Sequence, residues 1–130
     1  IEAAVAYYNA TGKRKLLDVA IRFADHFDSL FGPGKQHWVT GHQELELALV
    51  KLYSVTNNKK YLDLSHWLLE ERGHKLGKGY TWTSWKDTAY AQDVVPVREQ
   101  KEITGHAVRA MYLYTGAADV AALTGDAGYM

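Results

Sequence analysis

A short turn sequence that recurs three times constrains the fold of this 130-residue chain more than any other feature. The stretch Ala4 to Asp18 aligns with Leu49 to Asp63, and a shorter third copy spans Leu123 to Asp126. In each copy a threonine precedes a glycine or an asparagine, the residues that most readily adopt the left-handed conformation that closes a helix. These residues are Gly12, Asn57 and Gly125. Copies that recur at the interval from Ala4 to Leu49 are typical of paired-helix arrays, so the sequence predicts antiparallel helix hairpins.

The spacing of apolar residues predicts an all-α chain with five helices. The predicted helices run about Glu2 to Thr11, Arg14 to Phe31, Gly41 to Val55, Lys59 to Arg72 and Arg98 to Leu123. Thr40 and Gln43 are predicted to form a capping box at the start of the third helix. The charged end of the fourth helix, Glu70 to Arg72, is predicted to be solvated. Strand signals are weak and are confined to Tyr80 to Trp85.

Composition limits the function classes that remain. Lys plus Arg and Asp plus Glu each count 15, so the net charge is zero, and no nucleic-acid or anionic-membrane partner is predicted. No apolar run approaches the roughly 18 residues of a membrane-spanning helix. The absence of cysteine excludes zinc–thiolate sites and thiol nucleophiles from this chain. The chain starts within a helical pattern and ends after a turn, so residues 1–130 are predicted to be part of one domain of a longer protein.

Two long connections are candidate binding elements. The first, Gly32 to Thr40, contains Trp38, and the second, about His74 to Val97, is rich in aromatic residues. Those aromatic residues are Tyr80, Trp82, Trp85 and Tyr90. Long loops in helical domains often carry function, and aromatic faces suit the apolar side of a sugar ring. The alternative is that these rings pack as a lid over the helix ends.

Two Gly–His pairs, Gly41–His42 and Gly105–His106, are the second candidate feature. Each lies near a predicted helix start, and in a ring of hairpins such starts converge on one rim. His42 is predicted at the second helical position. A neutral imidazole donates and accepts hydrogen bonds, which suits a hydroxyl-rich ligand. The alternative is a partly buried histidine bonded to a neighbouring loop.

A metal site is not predicted. His42 and Glu46 are four residues apart, a spacing that metal sites use, but the sequence shows no third ligand. No catalytic residue is predicted in the chain either, because pairing of its carboxylates for glycosidic acid–base chemistry cannot be argued from their positions on separate helices.

Several strings resemble glycoside hydrolase family 127, which includes bacterial β-L-arabinofuranosidases. They are Ile1 to Tyr8, Gly41 to Tyr53, Tyr90 to Asp93, Pro96 to Gln100 and Gly105 to Tyr114. The resemblance runs from end to end in the right order. It implies that the helix hairpins form part of an (α/α)6 toroid, a barrel that β-sandwich domains follow in the longer protein.

The resemblance also implies a chemistry and a substrate. Family members use a zinc-bound cysteine nucleophile and a glutamate acid/base in a retaining mechanism, and those residues lie downstream of the part matched here. The chain is therefore expected to supply barrel scaffold and part of the sugar-binding rim, and to be inactive alone. Family histidines that contact the sugar correspond to His42 and His106, and Gln43 is the third predicted sugar-binding residue. The resemblance implies that the longer protein binds an L-arabinofuranoside-type sugar and zinc.

Two other readings remain open. One is a non-catalytic helical-repeat module that binds protein through its concave face. The other is part of another (α/α)6 carbohydrate enzyme, such as an unsaturated glycuronyl hydrolase. The long aromatic loops and the histidines favour a sugar pocket. Because an incomplete ring leaves the first and the last helix each without a partner on one side, self-association through those faces is also predicted.

Overall fold

The computed structural model describes residues 1–77 and 88–129, and the α-helices there confirm the all-α prediction. They are α1 (Glu2–Thr11), α2 (Lys15–Leu30), α3 (Glu44–Thr56), α4 (Lys59–Glu71) and α5 (Ala107–Thr124). Short 3-10 helices span Ala89–Ala91, Val97–Glu99 and Ala127–Tyr129. Among the described residues, extended pairing is limited to one isolated bridge between Phe31 and Gln36. The possible strand pieces in 80–85 and the side chains of Tyr80, Trp82 and Trp85 lie outside the described residues.

The three repeated turns close helices as predicted. The backbone angle φ is +69° at Gly12, +53° at Asn57 and +74° at Gly125, and each of these residues caps a helix. In every copy the preceding threonine donates its hydroxyl to the carbonyl four residues earlier and accepts from the N–H two residues later. The three threonines are Thr11, Thr56 and Thr124. One side chain therefore joins each helix end to the start of the next segment.

Helix α3 is the central element of the array. It packs most extensively against α4 and also contacts α5 and α1, while α2 packs against α1 and α4. Leu49 and Leu52 of α3 belong to a buried cluster shared with α1, α2 and α4, and Val50 belongs to a second cluster shared with α4 and α5. The hairpins therefore share an apolar interior on both sides of α3, as expected for part of an α/α toroid.

Helix α5 begins at Ala107, so the prediction that it starts at Arg98 is wrong. The chain forms one 3-10 turn at Val97–Glu99 and then runs without helix to His106. Gly105 has φ +74°, a left-handed conformation that cannot continue a right-handed helix. A Cβ atom there would lie 2.0 Å from the Ala89 carbonyl oxygen, so this segment follows a path that only glycine fits.

The capping box predicted at the start of α3 is also wrong. The N-cap residue is Gln43, whose side chain makes no capping hydrogen bond, and α3 begins at Glu44. The hydroxyl of Thr40 is drawn away from the helix end because it accepts a hydrogen bond from Arg72, 3.0 Å away. A buried tertiary contact has replaced the local cap.

Arg98, from the Pro96 to Gln100 string, fastens the turn after α5 to α4. Its Nε donates to Glu70 at 2.7 Å, its Nη2 donates to Asp126 at 2.6 Å, and its guanidinium carbon lies 4.2 Å from the Tyr129 ring centroid. The hydrogen bond from Arg98 holds the pKa of Asp126 well below its usual range. Burial tends to raise the pKa of Glu70, but hydrogen bonds from Arg98 and Tyr129 bring it below its ordinary value.

None of the helices formed by residues 1–77 and 88–129 combines the length and the apolar character needed to cross a membrane.

Candidate functional site at the start of α3 and α5

Both Gly–His pairs lie at the same end of the helix array. His106 is the N-cap residue of α5, and His42 lies in the bend directly before Gln43, the N-cap residue of α3. Arg109, in the first turn of α5, donates from Nη1 to the carbonyl of Gly41 at 2.5 Å. Because this bond joins the first turn of α5 to the residue before His42, the two helix starts lie next to each other.

His42 is exposed at this end of the array and is not the second residue of a helix, which corrects the predicted position. It lines a cleft of about 400 Å³ between α1, α2 and α3. Phe23 and Phe27 supply apolar surface to the cleft, and Glu44 supplies a carboxylate. The imidazole therefore lies where a ligand could reach it, beside both apolar and acidic side chains.

His106 is half-buried and packs on the loop that precedes it. Its ring centroid lies 4.9 Å from that of Tyr90, and its backbone N–H donates to the Tyr90 carbonyl at 3.2 Å. Its Nδ1 is buried and has no hydrogen-bond partner among the described residues. The packing matches the alternative of a histidine held by a neighbouring loop, but the ring keeps an unused polar atom.

Gln43 is fully buried and its amide nitrogen is already used within the chain. Nε2 lies 2.6 Å from both the carbonyl oxygen of Ala91 and Oε1 of Gln92. Its Oε1 is buried and has no partner in the described part of the chain. A direct contact between Gln43 and a sugar therefore stays a prediction, whereas its contact with the loop around Ala91 is observed.

Arg72 is the residue that sequence reasoning missed. It is fully buried, although the end of α4 was expected to be solvated. Its Nη2 donates to the carbonyl and the hydroxyl of Thr40 at 2.9 and 3.0 Å and contacts Glu46 at 3.3 Å, and its Nη1 donates to the Ala91 carbonyl at 2.8 Å. Burial lowers the pKa of this guanidinium, and the charges of Glu46 and Asp93 oppose that shift. The segment before His42 and the loop after residue 87 are thus held by one cation.

Nothing in the sequence around Arg72 indicates that its side chain is buried and bonded to two loops. Three consecutive charged residues at a helix end are ordinarily solvated, and the partners of Arg72 lie 19 to 32 residues away along the chain. Only the packing of the loops over the end of α4 removes water from the guanidinium.

The residues described here do not form a metal centre. Glu46 is buried against Arg72 while His42 is exposed, so the two do not act as a pair. Residues 1–77 and 88–129 contain no group of three His, Cys, Asp or Glu that could hold a metal ion, and the sequence has no cysteine. The zinc implied by the resemblance therefore does not fit on this chain's described residues alone, and no chemical step is assigned to it.

The aromatic residue of the first long connection packs instead of standing free. Trp38 stacks on Phe31 with a centroid distance of 5.0 Å and approaches Phe27 at 6.0 Å. Beside it, His37 pairs with Glu71 at 2.7 Å. These contacts agree with the alternative interpretation of this loop, in which its aromatic rings pack as a lid over the helix ends.

Comparison with known proteins identifies the family. The family profile described as "Beta-L-arabinofuranosidase, GH127 catalytic domain" matches residues 1–130. The chain belongs to this GH127 family. The resemblance proposed from the sequence strings is therefore confirmed. Membership of GH127 favours the interpretation as part of such an enzyme over a protein-binding helical-repeat module and over another (α/α)6 carbohydrate enzyme.

The GH127 relatives are much longer than this chain. The non-reducing end beta-L-arabinofuranosidase of Bifidobacterium longum subsp. longum is 44% identical to it over an alignment 149 positions long. That alignment covers 98% of this chain and 22% of the relative. A crystal structure of a GH127 beta-L-arabinofuranosidase from Geobacillus stearothermophilus T6 superposes with a TM-score of 0.86 at 43% identity, over 98% of this chain and 22% of that one. The structure of another GH127 beta-arabinofuranosidase superposes with a TM-score of 0.84 at 52% identity, and the match covers 98% of this chain and 19% of that one. The chain thus spans about a fifth of the length of these relatives.

Proposed function

We propose that this chain forms part of the sugar-binding rim of a GH127 β-L-arabinofuranosidase, where His42 and His106 contact an L-arabinofuranoside. The observation that supports the proposal is that the two segments carrying these histidines lie next to each other at the starts of α3 and α5, where Arg109 is bonded to Gly41. The family supplies the substrate class, since the relatives named above are β-L-arabinofuranosidases or β-arabinofuranosidases.

The two imidazoles suit a furanoside for different reasons. His42 is exposed and can both donate to and accept from sugar hydroxyls. His106 packs against the Tyr90 ring, which orients the imidazole before a ligand arrives, and its buried Nδ1 has no partner within residues 1–77 and 88–129. Such pre-orientation lowers the entropy cost of binding. We assign no nucleophile or acid/base to the chain; these groups, and the zinc implied by the resemblance, are proposed to come from the rest of the enzyme.

Replacing either histidine with alanine tests this proposal. In the full-length enzyme that contains this chain, His106→Ala and His42→Ala are each expected to lower kcat/KM for an arabinofuranoside by about tenfold or more, because a positioned contact to the sugar is lost. The 130-residue chain alone is expected to be inert.

His26→Ala is the control for the histidine variants. His26 is exposed on α2 and is not part of the rim, so kcat/KM should be unchanged. Full activity of His106→Ala would contradict the role of that residue, and hydrolysis by the isolated chain would contradict the assignment of the catalytic groups elsewhere.

We also propose that the isolated chain self-associates through the last helix, α5, as predicted, and through α2 in place of the predicted first helix, because α2 has more exposed apolar side chains than α1. Leu16 and Val19 on α2, and Val108 and Met111 on α5, are each about half exposed. Apolar area of this kind favours association because burial removes it from water.

Sedimentation at rising concentration tests the proposed association. The apparent mass of the isolated chain should rise with concentration, and Val19→Glu or Val108→Glu should reduce the rise. Gln36→Glu, in the exposed loop after α2, is the control for one added negative charge. A monomer at high concentration would contradict the proposal.

A further inference from the structure

We propose that Gln92 is a positioning residue that fixes the two histidine-bearing segments relative to each other for sugar binding. The inference rests on the proposed function of His42 and His106. It concerns a side chain in the Tyr90 to Asp93 string that no ligand need touch.

Gln92 lies buried between the two helix starts, with 2% of its surface exposed. Its backbone is left-handed, with φ +53° and ψ +35°, and its N–H donates to the Ala89 carbonyl at 3.0 Å. A residue with a side chain rarely adopts this conformation unless the surroundings hold it there. Here the holding contacts come from its own amide group.

The amide of Gln92 bridges the two segments. Its Oε1 accepts from Nε2 of Gln43 at 2.6 Å, next in sequence to His42. Its Nε2 donates to the carbonyl of Thr104 at 2.9 Å and to that of His106 at 3.2 Å. A primary amide has an acceptor and a two-hydrogen donor on opposite sides, so a single group can hold both partners.

The bridge acts on the residue that carries the ring. His106 is the N-cap residue of α5, and the carbonyl that Gln92 holds is its own. The position of the imidazole depends on that backbone and on the packing of the ring against Tyr90, since its Nδ1 has no hydrogen-bond partner among the described residues. At Gly105 a Cβ atom would lie 2.7 Å from Nε2 of Gln92, so glycine there lets the segment approach the amide.

A second tie keeps the site assembled when the bridge is lost. Arg109 donates to Gly41 independently of Gln92, and Arg72 holds Thr40 and Ala91. Loss of the amide should therefore shift the histidines by a small distance instead of unfolding the domain. Small displacements of binding groups weaken binding strongly, because the contacts need defined geometry.

A double-mutant cycle in the full-length enzyme tests the inference. Methionine resembles glutamine in length and carries no charge, so Gln92→Met and Gln43→Met each break the bridge. Each variant is expected to raise KM for an arabinofuranoside by about tenfold, with a smaller change in kcat. Both substitutions remove the bond between Gln43 and Gln92, while each also removes bonds to other carbonyls, so the double variant should lose clearly less than the sum of the two single variants.

Two further variants separate positioning from stability. Arg98→Met removes contacts to Glu70 and Asp126 but touches neither histidine segment, so it should lower Tm and leave KM unchanged. Gln92→Asn keeps an amide, and asparagine tolerates a positive φ, so this variant should fold even if Gln92→Met does not. Its shorter reach should still raise KM.

The outcomes distinguish the inference from the proposed function. If the histidine variants lose activity while Gln92→Met or Gln92→Asn keeps the original KM, only the role of Gln92 is overturned. The same holds if the effects of Gln92→Met and Gln43→Met add, since independent effects would mean no shared link. If neither histidine variant loses activity, the proposed function fails and the inference fails with it.

Discussion

Replacing Arg72 with methionine is expected to lower the free energy of unfolding by about 3 to 5 kcal/mol. Arg72 and Glu46 both have fully buried side chains, 3.3 Å apart. Removing the cation leaves the buried Glu46 carboxylate without its charged partner, which costs far more than the pair contributes as a pair. It also removes one hydrogen bond from each of the carbonyls of Thr40 and Ala91, although the Ala91 carbonyl still accepts from Gln43. Urea denaturation of the variant and of the unsubstituted chain measures the difference in the free energy of unfolding.

Two controls give this prediction its specificity. In the double variant Arg72→Met with Glu46→Met, part of the loss should be recovered, because a methionine pair leaves no unpaired charge. Arg14→Met removes an exposed pair with Asp18 and should change the stability by about 1 kcal/mol or less. A loss for Arg72→Met as small as that for Arg14→Met would show that the buried guanidinium is not required for folding.

Replacing Gly105 with alanine is expected to destabilise the chain by about 2 to 5 kcal/mol, combining roughly 1 to 2 for a left-handed alanine with 1 to 3 for overpacking. The new Cβ would lie 2.0 Å from the backbone oxygen of Ala89, and backbone cannot move aside as a flexible side chain can. The segment that carries His106 would have to shift.

Gly12→Ala is a closely matched control because it isolates the conformational part of that cost. Gly12 has φ +69°, similar to the +74° of Gly105, but a Cβ atom there would meet no atom of the described part of the chain within 4 Å. It should therefore cost only about 1 to 2 kcal/mol. Denaturant titration of the two variants side by side is the measurement. Equal losses would contradict the close packing of Gly105 against Ala89.

Local chemistry is enough to specify the hairpin turns and much of the helix pattern. The Thr–Gly and Thr–Asn turns depend on hydroxyl groups and left-handed residues within a few positions, so they were predicted correctly at Gly12, Asn57 and Gly125. The ends of α1 and the start of α4 also agree with the sequence expectations, because apolar periodicity is a property of the segment itself. The Gly–His pairs were found for the same reason.

The arrangement between segments required the tertiary structure. The burial of Arg72, the late start of α5 and the amide bridge at Gln92 all involve partners distant in the chain. No local pattern distinguishes a charged helix end that remains in water from one over which two loops pack. The sequence thus specified the helices and suggested the histidines, whereas long-range hydrogen bonds and backbone contacts fix how the two histidine segments face each other, because these interactions form only when the hairpins have packed.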